Sequence, residues 1–145
     1  MCFSNVVSLV KPLGNGGVAV GLFEVVVRVA NPADRVFHKR TMLVDTGATH
    51  SALPASFLRE LGVTPDDERE FSLADTEMKT YPVGEVRFSV GDRERTAPVI
   101  FGDEGMYLFG ATSLQNLDLV PDTTNHQLIA APTLLVGIRG TPVFE

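Results

Sequence analysis

Asp45 is the residue with the clearest chemical potential in this sequence. It stands in Met42-Leu43-Val44-Asp45-Thr46-Gly47-Ala48-Thr49-His50-Ser51-Ala52-Leu53-Pro54, an acidic turn between two apolar approaches. Thr41 to Val44 are β-formers or apolar and read as a buried strand. A carboxylate at the end of such a strand costs free energy unless it is hydrogen-bonded or shared. Gly47 allows a tight turn and close approach of the backbone to a neighbour, and small Thr46 and Ala48 leave room around the carboxylate. The turn therefore offers a partly buried carboxylate at the floor of a cleft, a group fitted to take up or release a proton. An Asx-type turn joining two strands uses the same residues, so the rest of the chain decides between a site and a connection.

Other chemistries find little support. His38, His50 and His126 are scattered, with no Cys or His partner at metal-ligand spacing, and Cys2 is the single cysteine. No metal is expected, and one cysteine fits a reducing, cytoplasmic compartment. A net charge of −6 without a Lys/Arg run makes nucleic acid and anionic membrane poor partners. No apolar run approaches the ~18 residues of a membrane span, and the first ten residues lack the basic start of a signal peptide.

The elements that must position Asp45 are mostly strands. Val18 to Ala30 is Val-rich and partly alternating, with Glu24 and Arg28 toward solvent; Asn31 to Asp34 is a turn; Arg35 to Val44 returns as a second strand into Asp45. Pro54 to Leu61 reads as a short helix with Pro54 in its first turn and Gly62 ending it. Pro65 to Glu70 reads as a charged loop. Phe71 to Val90 is strand-like, with turn signals at Ala74 to Glu77 and at Pro82-Val83-Gly84, and it alternates from Glu85 onward. Gly91 to Glu94 is a hairpin loop, Thr96 to Phe101 the returning strand, and Gly102 to Gly105 a further loop. Met106 to Gly110 is an apolar strand and Ala111 to Leu117 a second short helix. Leu119-Val120 precedes a turn beginning at Pro121-Asp122, and Gln127 to Ala130 is a strand. Thr133 to Ile138 is an apolar run that either closes the domain or joins an interface. The 145 residues suit one domain, residues 1–145, of all-β, barrel-like architecture.

Asp45-Thr46-Gly47-Ala48, with Leu43-Val44 before it and Ser51-Ala52-Leu53-Pro54 after it, resembles the active-site loop of the retropepsin-like aspartic protease family. Leu108-Phe109-Gly110 is similar to that family's second motif, and a hairpin around Ala74 to Met78 to its flap. The order of parts matches over about Val18 to Ala130. The resemblance implies a closed β-barrel protomer with one or two short helices and a flap hairpin. It implies catalytic roles for Asp45, Thr46 and Gly47, substrate contacts from Ala48, Thr49, His50 and from Ala74, Asp75 and Thr76, and support of the site by Leu108, Phe109 and Gly110. Retroviral members carry acidic residues after the Ala and an Arg after the second Gly; here Thr49-His50 and Ala111 stand there. Both halves of that ion pair are absent together, so no charge is orphaned, and Gly110-Ala111-Thr112 is closer to the cellular and bacterial branch. The hairpin tip Ala74-Asp75-Thr76-Glu77 lacks the Gly common in flap tips.

The function so implied is an aspartic endopeptidase acting on protein or peptide substrates, without metal or organic cofactor. Two carboxylates must share one proton, as in the aspartic proteases that serve as the general example of split pKa values. Asp75, Asp92, Asp103, Asp118 and Asp122 are not followed by Thr/Ser-Gly, so the second carboxylate is expected from Asp45 of another copy in a homodimer. The alternative is a retropepsin-like dimerisation or peptide-binding module with weak or no cleavage.

Overall fold

A computed structural model describes residues 22–72 and 77–131. Its elements run β1 (Phe23–Ala30), β2 (His38–Val44), β3 (Ser51–Pro54), α1 (Ala55–Glu60), β4 (Asp67–Ser72), β5 (Met78–Val90), β6 (Arg93–Gly102), β7 (Leu108–Phe109), α2 (Ala111–Asn116), β8 (Leu119–Asp122) and β9 (Gln127–Ala130). Strands dominate and both helices are short, so the chain is all-β. Seven strands form one sheet in the order β1-β2-β7-β3-β6-β5-β4, and β1 also pairs with β5. The sheet thus closes on itself as a ring, with β4 attached outside it along β5. β8 and β9 form a separate two-stranded sheet.

Side chains alternate along the strands of the ring. Met42, Val44, Leu53, Val99, Phe101 and Phe109 point inward, into a core that also holds Val27, Val29, Val86, Phe88 and Leu58. Their neighbours Leu43, Ala52, Ile100 and Leu108 fall in two smaller clusters on the other face of the same strands, joined there by Phe71, Tyr81 and Met106.

Several expectations need correction. The charged stretch read as a loop from Pro65 to Glu70 is largely strand: Asp67–Ser72 pairs with Met78–Val83 in β5. Its side chains are exposed except for half-buried Phe71, so an edge strand without a buried face gave no alternation to read. Pro82-Val83-Gly84 is no turn; β5 runs through it for 13 residues. Pro82 faces Glu68 on the edge strand, where a missing N–H is tolerated. A Cβ on Gly84 would lie 3.0 Å from the Phe101 ring, so that glycine marks close packing. The strand expected at Met106 to Gly110 is only Leu108–Phe109, the second strand begins at His38 rather than Arg35, and Pro121-Asp122 belongs to β8. Pro54 caps α1 from outside instead of occupying its first turn. The helix does end at Gly62, with φ of 82° and N–H bonds from Gly62 to Arg59 and from Val63 to Leu58, as a C-terminal glycine permits. The first part of the expected strand, residues 18–21, and the apolar run Thr133 to Ile138 lie outside the described residues.

Candidate active site

β7 is threaded between the two strands that flank the Asp45 turn. It runs parallel to β2, with Leu43 beside Leu108 and Val44 beside Phe109, and antiparallel to β3, with Ala52 beside Leu108. The Leu43 N–H donates to the Tyr107 carbonyl at 2.8 Å and the Asp45 N–H to the Phe109 carbonyl at 3.0 Å. The base of the turn is therefore hydrogen-bonded to a strand some sixty residues away in sequence.

Beyond β7 the chain enters α2, whose first residues bind the far side of the turn. The Ala111 N–H donates to the Ala48 carbonyl at 2.8 Å and the Thr112 N–H to the Thr49 carbonyl at 2.9 Å. Gly110 lies so close beneath that an added Cβ would stand 2.6 Å from the His50 carbonyl carbon and oxygen and 2.8 Å from the Ala48 oxygen. Its backbone is extended, φ −95° and ψ 179°, so the need for glycine is steric, not conformational. The buried Gly110 N–H donates to Ser51 Oγ at 2.9 Å, and Ser51 Oγ lies 2.6 Å from Ser113 Oγ.

Within the turn, the Gly47 N–H donates to Asp45 Oδ1 at 2.9 Å and the Ala48 N–H to the Asp45 carbonyl at 3.1 Å. A Cβ on Gly47 would meet Asp45 Oδ1 at 3.2 Å, so a larger residue would crowd that oxygen. Burial pushes the Asp45 carboxyl above its ordinary value, against the opposing pull of the Gly47 and Ala48 amides. Asp45 is half-buried, while Thr46, Gly47 and Thr49 are exposed. The arrangement is a rigidly backed carboxyl whose own turn presents outward, fitted to exchange a proton with something brought to it.

His50 ends the loop. Its ring meets Phe71 edge-on at 5.7 Å between centroids, and Phe71 tilts against Tyr81 at 6.3 Å. Burial, and then the charge of Arg69, pull the His50 pKa below its ordinary value. β4 and β5 pair antiparallel as far as Ser72 and Met78; Ala74, Asp75 and Thr76, named above as substrate contacts, lie outside the described residues. Among the described residues no group of three or more His, Cys, Asp or Glu could hold a metal, and no helix is long and apolar enough to cross a membrane.

The structure thus brings Asp45 through His50 together with Leu108, Phe109 and Gly110. Sequence reasoning assigned no role to Ser51, Ser113 or Phe71. Ser51 sits in an otherwise apolar run and Ser113 in a short amphipathic helix; a hydroxyl at a buried position must find a partner, and that was the available signal.

A match to the aspartyl protease family spans residues 25–119. Among solved structures, one described as a retropepsin-like aspartic protease from Rickettsia conorii is similar, with 17% identity and a TM-score of 0.46, covering 70% of this chain and 86% of that one. Among curated proteins no match is found.

Proposed function

The chain belongs to the aspartyl protease family, and from that premise we propose that it is an endopeptidase whose catalytic pair is two Asp45 carboxylates, one from each of two copies. The observation that carries this reading is the state of Asp45 itself. It is half-buried, its proton affinity is raised by burial, its turn is fixed from below by β7 and α2, and the neighbouring Thr46 and Gly47 face outward.

In the proposed reaction the two carboxyls share one proton, because like charges a few ångströms apart resist joint ionisation. The ionised one takes a proton from a water, which attacks the peptide carbonyl carbon. The protonated one gives its proton to the carbonyl oxygen. The pair titrates as a unit. Thr46 braces the two turns against each other, and Gly47, with Ala48, Thr49 and His50, lies along an extended substrate. On the outer face, half-buried Leu108 and Phe71, packed on buried Leu43, Ala52, Ile100 and Tyr81, would offer apolar surface to peptide side chains. By the resemblance to the family, Ala74, Asp75 and Thr76 would complete the contacts.

Specific activity on a peptide library, measured across a dilution series beside sedimentation velocity, tests the reading. Activity should fall on dilution as the dimer dissociates. Excess Asp45→Asn chain mixed into wild type should suppress cleavage, since mixed pairs hold one carboxyl and one amide. Constant specific activity from a monomer would sink the shared pair; peptide binding without cleavage would favour a capture module instead.

A further inference from the structure

We propose that His50 is a positioning residue: in its neutral form its ring docks the stem of the β4–β5 hairpin onto the candidate catalytic loop through Phe71. The contact stands on geometry alone; its bearing on catalysis rests on the function proposed above.

The main chain of His50 is immobilised from one side. Its carbonyl abuts Gly110 at the head of α2, where even a methyl group would stand 2.6 Å away. From that fixed point the imidazole reaches the hairpin and meets Phe71 edge-on at 72°. Phe71 is the half-buried residue of an otherwise exposed strand. It pairs with Lys79 of β5 and packs with Tyr81, Ala52 and Ile100. Among the described strands β4 pairs with β5 alone, and Phe71 is where this strand meets the residues around the loop.

The docked site suits a neutral ring. Among the described residues, buried His50 Nδ1 has no hydrogen-bond partner, and a proton there would be a buried donor with no acceptor among them. Arg69, on the same strand as Phe71, is the charged group acting on the ring, and it opposes a second cation. On the far side of Phe71, Tyr81 donates to Asp103 at 3.0 Å and Lys79 pairs with Asp103 at 3.3 Å. Those groups meet the phenyl ring's neighbour, not the imidazole. Asp45 lies in the same loop, where its Oδ1 accepts the Gly47 N–H. The sign follows. The docked form holds its proton less tightly than a free imidazole, so docking is strongest above pH about 6.5 and weakens as pH falls from there toward the lowered value.

The experiment is hydrogen exchange in residues 67–72 and 78–83 of the full chain from pH 8 to pH 5, corrected for the chemical exchange rate at each pH. Wild type should lose protection there below pH about 6.5. His50→Phe keeps an aromatic edge without a titrating nitrogen and should hold its protection across the range. Phe71→Ala should be poorly protected at both ends. Protection that is pH-independent in wild type, or that falls in parallel in wild type and His50→Phe, overturns the proposal. A second readout is the His50 imidazole titration by NMR, which should rise toward the ordinary value in Phe71→Ala; an unmoved titration again overturns it. Neither readout needs cleavage, so a wrong assignment of the chemistry and a wrong assignment of His50 give different results.

Discussion

The hydroxyls of Ser51 and Ser113 lie 2.6 Å apart, both fully buried, and join the strand leaving the Asp45 turn to helix α2. Ser51 Oγ also accepts the Gly110 N–H, so this one hydroxyl serves both the amide and Ser113; either hydroxyl can be the donor between the serines. Ser51→Ala leaves a buried amide and a buried hydroxyl without partners and should cost about 1–3 kcal/mol per orphaned group. Ser113→Ala removes one partner of Ser51 and leaves the Gly110 amide bonded, so it should cost less. Denaturant unfolding of both variants and the double variant checks the order, with the double costing less than the sum of the singles.

Gly110→Ala should be more damaging than an ordinary core enlargement. Overpacking typically costs about 1–3 kcal/mol, and here the new atom meets backbone rather than a side chain that could swing aside. Thermal melting and cleavage should fall together. Unchanged melting would show that the loop and α2 can separate freely.

Asp45→Asn should abolish cleavage and alter stability in a pH-dependent way. Burial raises the folded carboxyl above its ordinary value, so between about pH 3.9 and that raised value the folded chain keeps a proton the unfolded chain has released. That contribution is lost as pH rises through the window. The asparagine carries no charge at any pH, and its oxygen can still accept from Gly47. The melting temperature of the variant minus that of wild type should therefore be larger at pH 7 than at pH 3, which paired scans will show.

Leu108 and Phe109 are adjacent and should respond oppositely. Phe109 is fully buried and meets Phe88 edge-on at 5.1 Å; Phe109→Ala should cost about 3–5 kcal/mol. Leu108 lies half-buried on the outer face beside Leu43 and Ala52. Leu108→Ala should largely spare folding and raise KM more than it lowers kcat, the pattern of lost uniform substrate binding. Equal effects of the two changes on melting would contradict the assignment of faces.

What could be read from the sequence follows from where each signal resides. The Asp45 turn, the two helices and the hairpin at Gly91 announce themselves through local residue types: Val90 faces Arg93 across a two-residue turn whose Gly91 has φ of 60°, as such hairpins favour. β4 was missed because Asp67 to Glu70 gain their strand from pairing with β5, not from a buried face. The turn signal at Pro82 and Gly84 misled because both residues also serve edge pairing and close packing. The Asp45 turn was legible, and its bracing only in part. Leu108-Phe109-Gly110 could be recognised, whereas the Ser51–Ser113 link joins positions 62 apart and leaves no local pattern.

The threading of β7 has a consequence for synthesis. The tripeptide around Asp45 is translated early, yet the partners of the Leu43 and Asp45 amides are the carbonyls of Tyr107 and Phe109. Non-local pairings of this kind form late and slowly, and domains generally fold as units once their chain is available. A nascent chain that has not passed residue 109 carries every atom of the turn and none of its backing. We predict that a chain truncated after Gly105 exchanges its Leu43 and Asp45 amides freely, while the full chain protects them; protection in the fragment would contradict this. On the function proposed above, a chain that has not passed residue 109 would lack the hydrogen bonds that back its Asp45 turn.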